Sequence, residues 1–282
     1  MIQISSDINR AATILQEGGL VAIPTETVYG LAGNIFNESA IKKIFKTKQR
    51  PLFNPLIVHV KSRKYVNEVA EYIPPKATQL ADAFWPGPLT LVLKKKPIIP
   101  DLITAGKDTV ALRMPDHPLT QKLLNALDFP VAAPSANPFG RISPTKAEHV
   151  ANYFADELEM VLDGGPCQSG IESTIIGFDG DNPIIYRLGS ISREDIEAVV
   201  GPVESITKND TTPDAPGMLS RHYAPTTLTV LSNDVLATVM KHQGKRIGIL
   251  FFKTIVPHDG IAVAKVLSPN GSEKEAASNL YA

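Results

Sequence analysis

The chain runs to 282 residues, 43% hydrophobic and 20% charged, with a formal charge of −1 and one cysteine, Cys167. That length fits one large or two medium domains, and near-neutral charge argues against binding nucleic acid by bulk electrostatics while leaving room for a local basic patch. A lone cysteine excludes an intrachain disulfide, and no basic-then-apolar leader or apolar run near the ~18 residues of a membrane span is present, so a soluble protein of a reducing, cytoplasmic compartment is expected.

From the amino terminus, Ile8, Ala11, Ala12 and Leu15 share one helical face, predicting a helix over 8–17 that Gly18 and Gly19 stop. The apolar run 20–23 reads as a strand that enters Pro24 and then delivers Thr25, Glu26, Thr27 and Tyr29 before Gly30. Hydroxyls, a carboxylate and a phenol are poor core material, so this strand end reads as a pocket rim. A second helix over 39–48 turns Ile41, Ile44 and Phe45 inward and Lys42, Lys43 and Lys46 to solvent, and Pro51 ends it. Lys48 and Arg50 leave that helix as the chain enters a loop containing Asn54. A strand over 56–60 sets His59 beside Ile57 on one face and Leu56, Val58 and Val60 on the other.

Further along, a helix over 75–84, a turn over 85–88 and a strand over 89–93 are expected. A strand over 109–113, a helix over 119–127 and a short buried strand over 131–133 follow. Strands over 160–162 and 173–176 flank a glycine-rich loop, 163–170. A strand over 184–187 and a helix over 192–199 complete this part. Residues 208–225, with Pro213, Pro216, Gly217 and Pro225, have linker texture. Beyond them, 228–231, a helix to about 242, 247–252 and 262–267 suggest a small α/β unit, with a helix-like run over 273–281.

Most candidate residues carry a plain structural alternative. Thr25-Glu-Thr27 could form a hydroxyl-stabilised turn. His59 fits a satisfied rim histidine, and no second His or Cys stands at metal-ligand spacing. Arg113, closing a buried strand, needs an anion, either a protein carboxylate or a ligand carboxylate or phosphate. Ser135 and Asn137 follow a short apolar strand. Ser143 is placed to cap the next helix, whose N-terminus is itself a phosphate site. The loop 163–170 is not a Walker sequence, the dinucleotide fingerprint is absent, and no serine sits in a nucleophile elbow.

Seven segments together resemble, in order, the threonylcarbamoyl-AMP synthase family, the YrdC-like proteins of tRNA modification. They are Pro24-Thr-Glu-Thr-Val-Tyr-Gly30, Lys48-Gln-Arg50-Pro51, Asn54-Pro-Leu-Ile-Val-His59, Phe84-Trp-Pro-Gly-Pro-Leu-Thr-Leu91, Ser135-Ala-Asn137, Gly170-Ile-Glu-Ser-Thr174 and Arg221-His-Tyr-Ala-Pro225. Each is weak alone; the ordered set, spanning roughly 15–225, is specific. The resemblance implies an α/β fold of the longer two-domain branch: a twisted mixed-sheet YrdC-like catalytic domain over 1–207, a linker or lid over 208–226, and a small, incomplete α/β C-terminal domain over 227–282.

It also implies a reaction joining L-threonine, bicarbonate and ATP into threonylcarbamoyl-AMP and pyrophosphate, with Mg2+ on the triphosphate and a downstream tRNA threonylcarbamoyl transferase complex as partner. Every nucleophile then comes from a substrate. By resemblance, Thr27, His59, Arg113, Ala133 and Ser173 hold L-threonine. Lys48, Arg50, Ser135 and Asn137 are the catalytic set at the phosphates. Arg50, Asn54, Thr109, Ser135, Ser143, Arg187 and Tyr223 form the ATP site, with no metal held by protein side chains. Glu26, the obvious general base, has no required role. Two departures from the family pattern stand out: Phe139, where a small residue is frequent, and Gly177, where an aspartate is common. The other readings are a non-catalytic RNA-binding module, with weak RNA contact, and a carbamoyl-phosphate enzyme, which the single cysteine disfavours for want of zinc-finger motifs.

Overall fold

The computed structural model describes residues 2–155, 157–206, 215–218 and 224–282. Its first elements are β1 (Gln3–Ser5), α1 (Ile8–Gln16), β2 (Val21–Ile23), β3 (Gly30–Asn34), α2 (Glu38–Lys48), β4 (Ile57–His59), α3 (Arg63–Val69) and β5 (Ala70–Tyr72). Then come α4 (Pro75–Phe84), β6 (Leu89–Lys95), α5 (Asp101–Thr104), β7 (Thr109–Arg113), α6 (Pro118–Ala126), β8 (Val131–Ala132), α7 (Ala147–Phe154) and β9 (Met160–Leu162). The rest are β10 (Thr174–Asp179), β11 (Asn182–Arg187), α8 (Arg193–Val200), β12 (Glu204–Ser205), α9 (Val235–Lys241), β13 (Ile247–Phe251), β14 (Ile261–Val266) and α10 (Glu273–Asn279).

The main sheet runs β1-β9-β2-β3-β8-β4-β7-β6-β10-β11-β12, with β5 on β6. It is mixed: β4 and β7 are parallel, as are β6 and β10, whereas β6 and β7 are antiparallel. Period-two alternation sorts its side chains by face. Val58, Leu91, Leu112 and Ile185 point into the large core with Ile41, Ile44 and Leu80 of the helices. Ile57, Val92, Ala111 and Ile175 point the other way, into a small cluster roofed by Ala215 and Met218. Around β2 and β9, Ala11 and Leu15 of α1 meet Leu123 and Leu124 of α6 over Val21, Ile23, Met160 and Leu162.

Local chemistry sets the element ends that matter for the site. Asn37 caps α2 by accepting from Ala40 N. Gln49 then adopts a left-handed conformation (φ 53°), which turns the chain between Lys48 and Arg50. Strand β3 was not legible as one. Gly-Leu-Ala-Gly-Asn has no β-branched residue, and β3 is extended because β2 and β8 flank it with antiparallel ladders. The sequence reading also passes over β1, β5, β12, α3 and α5, and gives no bounds for α7.

The C-terminal residues form a parallel pair, β13–β14, with α9 and α10. Residues 228–231, expected as part of this unit, form no regular element: β13 and β14 pair with each other, and no ladder reaches that apolar run. Among the described residues no helix is long and apolar enough to cross a membrane.

Candidate active site

The parallel register His59↔Arg113 brings the ends of β4 and β7 side by side, and Thr90 of β6 stands opposite Arg113 on the other flank. The turn between β2 and β3 lies over these strand ends. Thr25 Oγ1 donates to Val28 O (2.6 Å) and accepts from Val28 N, which fixes the turn. With that proton committed, the Thr27 hydroxyl donates to Thr25 Oγ1 (2.8 Å) and its oxygen accepts from Arg113 Nη2 (2.8 Å). Gly30 permits the close approach: a Cβ there would stand 3.1 Å from Ala133 Cβ.

Arg113 finds its protein anion in Glu26, whose Oε1 lies 2.6 Å from Nη2, with both side chains buried. Glu26 Oε2 accepts from Asp116 N (2.9 Å), so the carboxylate is itself fixed. Glu26, expected to have no required role in the chemistry, has a structural one: it is the counter-ion that sets the guanidinium, because a buried cation left alone is costly. Arg113 Nη1 makes no hydrogen bond among the described residues. His59 is buried beside it, its pKa pushed down to about 3 by burial first and by the Arg113 charge second. It is a neutral imidazole at physiological pH, and its buried Nδ1 has no hydrogen-bond partner among the described residues.

The basic side is built differently. Lys48 is fully buried, and its Nζ donates to the carbonyls of Ser135 and Asn137 (2.5 Å each). Burial, then the Arg50 charge, holds its pKa well below the usual lysine range. Arg50 donates to Asn54 Oδ1 (2.6 Å), Asn54 O (3.1 Å) and Pro55 O (2.7 Å), and its guanidinium carbon lies 6.0 Å from the Phe139 ring centroid. Asn137 Nδ2 donates to Pro138 O and Arg141 O, which leaves its buried Oδ1 without a partner among the described residues.

Ser143 was expected to cap the next helix. Instead α7 begins after Lys146 without a side-chain cap, and Ser143 Oγ donates to Glu172 Oε1 (2.5 Å), because that buried carboxylate needs donors. Tyr281 Oη stands 3.5 Å from Glu172 Oε2. Ser173 Oγ pairs with Thr90 Oγ1 (2.8 Å) and accepts from Arg187 Nη2 (2.9 Å). Arg187 also donates to Ser173 O from Nε and Nη2, and to Pro216 O from Nη1 (3.3 Å).

These groups enclose a cavity of about 40 Å3, far below the ~300 Å3 at which small-molecule pockets begin. Thr27, His59, Arg113, Ala133 and Ser173, the five expected threonine contacts, all line it, with Arg50, Ser135 and Arg187 of the expected nucleotide set. Pro216 lines it as well. Lys48, Asn54, Asn137 and Ser143 are buried behind the lining. Thr109 is elsewhere, at the opposite end of β7 in a separate cavity, and Tyr223 lies outside the described residues. Glu172 and Thr90 belong to the same network and were not singled out, whereas the hydroxyl-stabilised turn offered for Thr25-Glu-Thr27 is present. Glu172 carried a signal, a carboxylate two residues after a glycine-rich loop; Thr90 carried none, since its place comes from the β6–β7 register.

Among the described residues the site holds no activated nucleophile. The buried Cys167 thiol is pushed up to about 12, chiefly by burial, and stays protonated. What it offers is fixed cations, a neutral imidazole and hydroxyls around a small cavity, an arrangement suited to orienting anionic substrates and stabilising charge as it develops.

Two family models match the chain: one described as telomere recombination, covering the Sua5, YciO and YrdC proteins, over residues 13–189, and the threonylcarbamoyl-AMP synthase C-terminal domain over 191–282. The threonylcarbamoyl-AMP synthase of Pyrococcus abyssi is 43% identical over 86% of this chain and 76% of its own length. That of Bacillus subtilis is also 43% identical, over 86% of this chain and 73% of its own. The crystal structure of P. abyssi Sua5 complexed with L-threonine superposes with a TM-score of 0.90 at 39% identity, covering 100% of this chain and 87% of that one. On the matched domains, the relatives and the shared fold, the chain belongs to the threonylcarbamoyl-AMP synthase family.

Proposed function

We propose that this chain makes threonylcarbamoyl-AMP and pyrophosphate from L-threonine, bicarbonate and ATP. The observation that carries the reading is the end of β7: Arg113, fixed by Glu26 and Thr27, turns an uncommitted Nη1 toward a cavity shared with the neutral His59 and, opposite, with Arg50 and Arg187. The carboxylate of threonine suits the guanidinium edge. Its hydroxyl and amine suit Thr27, Ser173 and His59 Nδ1.

The amine nitrogen bonds to the bicarbonate carbon with loss of water, giving a carbamate. A carbamate oxygen then attacks the α-phosphorus, and the bond to the β,γ-phosphates breaks to release pyrophosphate. The protein's own work is to hold the reactants in line, exclude water, and place Arg50 and Arg187 where negative charge grows. Lys48 takes part by fixing the Ser135–Asn137 backbone, and Asn54 by fixing Arg50. Mg2+ fits as a companion of the triphosphate. Among the described residues no group of three His, Cys, Asp or Glu side chains could hold a metal ion.

The product would pass to a tRNA threonylcarbamoyl transferase complex in a reducing, cytoplasmic setting, in keeping with one buried free cysteine. The division into a catalytic part (1–207), a linker (208–226) and a C-terminal part (227–282) goes with this reading. A non-catalytic RNA-binding module is less well supported, since Lys48, Arg50, Arg113 and Arg187 are buried around a closed cavity instead of forming an open basic face. The test is pyrophosphate release from ATP with threonine and bicarbonate omitted in turn. Release must need both; turnover without threonine would sink the assignment.

A further inference from the structure

The glycine-rich loop over 163–170 ends beside the small cavity, and the C-terminal part bears directly on that end. Gly170 adopts a left-handed conformation (φ 67°), and a Cβ there would stand 2.4 Å from Ser278 O and 2.6 Å from Ser278 Cα. Backbone lies against backbone, with no side chain between. Two residues on, Tyr281 Oη donates toward Glu172 Oε2 at 3.5 Å, while Glu172 Oε1 accepts from Ser143 Oγ (2.5 Å). The catalytic part holds the same stretch from its other side. Ser190 N donates to Glu172 O (2.9 Å), and Ser169 N donates to Glu26 O (2.7 Å).

The helix that delivers these contacts is itself anchored. Ser268 N donates to Phe252 O (2.8 Å), which ties the chain just past β14 to the chain just past β13. The buried Ser268 hydroxyl donates to Glu275 of α10 and accepts from Ser272 N (2.7 Å), and Asn279 Nδ2 donates to Leu267 O (2.8 Å). Helix α10 is thus fixed at both ends to the β13–β14 pair, and what moves that pair moves Ser278 and Tyr281. At the other end of the route, Glu172 and Ser173 line the small cavity, with Ser143 buried behind Glu172.

We infer that Tyr281 and Glu172 are positioning residues through which the C-terminal part sets the geometry of the nucleotide side. Helix α10 presses on Gly170 and so places the 170–173 backbone; Glu172, held by Tyr281, orients the Ser143 hydroxyl. The inference rests on the ATP reading above, in which Ser143 meets the nucleotide. It adds a route by which a part of the chain remote from the strand ends acts on the reaction. It also gives Glu172 a reason to stand beside cations that serve an anionic substrate: its oxygens are engaged by two hydroxyls.

The test measures, on the full chain, amide hydrogen exchange over 169–174 and calorimetric affinity for ATP and L-threonine. Gly170→Ala and Gly165→Ala form a matched pair. Both positions are left-handed, but a Cβ at Gly165 meets nothing within 4 Å, so only Gly170→Ala pushes on α10. Gly170→Ala should speed exchange and weaken ATP about tenfold, a usual size for coupling between sites; Gly165→Ala should leave both near wild type. Tyr281→Phe should weaken ATP about threefold, the worth of one hydrogen bond, with threonine affinity held. Glu172→Ala should weaken ATP further, and adding Tyr281→Phe to it should cost nothing more, because the phenol acts through that carboxylate. Glu172→Gln, which keeps an acceptor for Ser143, should recover most of the loss. Additive losses in the double variant overturn the inference, as do equal effects of the two glycine variants. Should Gly170→Ala fail to fold, the Tyr281–Glu172 cycle decides alone. If the wild-type chain binds no ATP at all, the proposed function falls, while the exchange measurement still decides whether α10 holds the loop.

Discussion

The two sides of the small cavity use the same residue types in opposite ways. On the Arg113 side, hydrogen-bonding capacity is left over: Nη1 of the guanidinium and Nδ1 of His59 have no partner among the described residues. On the Lys48 side the cations are committed, Lys48 through two N–H bonds to the Ser135 and Asn137 carbonyls and Arg50 through three to Asn54 and Pro55, and what stays without a partner among the described residues is the neutral amides, Asn54 Nδ2 and Asn137 Oδ1. Unspent capacity in a buried site is costly unless a ligand completes it. Spent capacity is structural. The comparison teaches that the first side recognises by direct contact, while much of the second side acts by holding the Ser135–Asn137 backbone in place.

Arg113→Ala tests this contrast with the largest expected effect. It removes the carboxylate contact and strands Glu26 as a buried charge, so threonine-dependent pyrophosphate release should disappear and threonine binding should fall beyond detection. Stability should also drop by about 3–5 kcal/mol. Double replacement with Glu26→Gln should restore much of the stability without restoring binding, read from a denaturant melt beside a threonine titration. Recovery of binding in the double variant would break the assignment.

Lys48→Ala should separate the sides. Two buried carbonyls lose their donor, at about 1–3 kcal/mol each, and kcat should collapse while threonine affinity stays near wild type. Lys48→Arg should not rescue, because a planar fork cannot replace a compact ammonium in a fully buried slot. Loss of threonine affinity in step with kcat would mean that the two sides are not separable.

Much of this was legible beforehand for a physical reason. Strand-end polar residues such as Thr27, His59 and Arg113 break an apolar run, and that break is visible without a structure. What they touch was not visible. Arg113 offered a choice between a protein and a ligand anion, and only the fold, bringing a turn near residue 26 over a strand ending at 113, shows that Glu26 takes one edge and leaves the other. Lys48 read as a phosphate clamp because a basic residue at a helix end is ordinarily exposed; its burial follows from the left-handed turn at Gln49. Strand β3 and the Thr90–Ser173 pair depend wholly on neighbours in the sheet, and no local signal marks them.

His59 sharpens the recognising side through pH. Its folded pKa of about 3 lies below the ordinary 6.5, so the unfolded chain binds more protons between those values. Stability from this group is full above 6.5 and is lost as pH falls toward 3, by about 1.4 kcal/mol per pH unit. His59→Gln should flatten that slope in acid melts. An unchanged slope would show that the imidazole is not the buried neutral group described.

The smallest effect concerns Ala215 and Met218, which cover the sheet beside the small cavity. Met218 is fully buried over Ile57, Ala111 and Ile175, and the small cavity beneath Pro216 has room for little more than water. If substrate binding requires this cover to be displaced, apparent affinity is reduced by the fraction of time it is displaced. Met218→Ala removes apolar contact from the closed state without touching the polar lining. It should shift the balance toward the lifted state, lowering the KM for ATP and for threonine by the same factor, a few-fold for ~1 kcal/mol of lost burial. Equal factors are the signature of a shared gate. A change in one KM alone would mean that Met218 contacts that substrate directly, and the roof would then be part of one side instead of a cover over both.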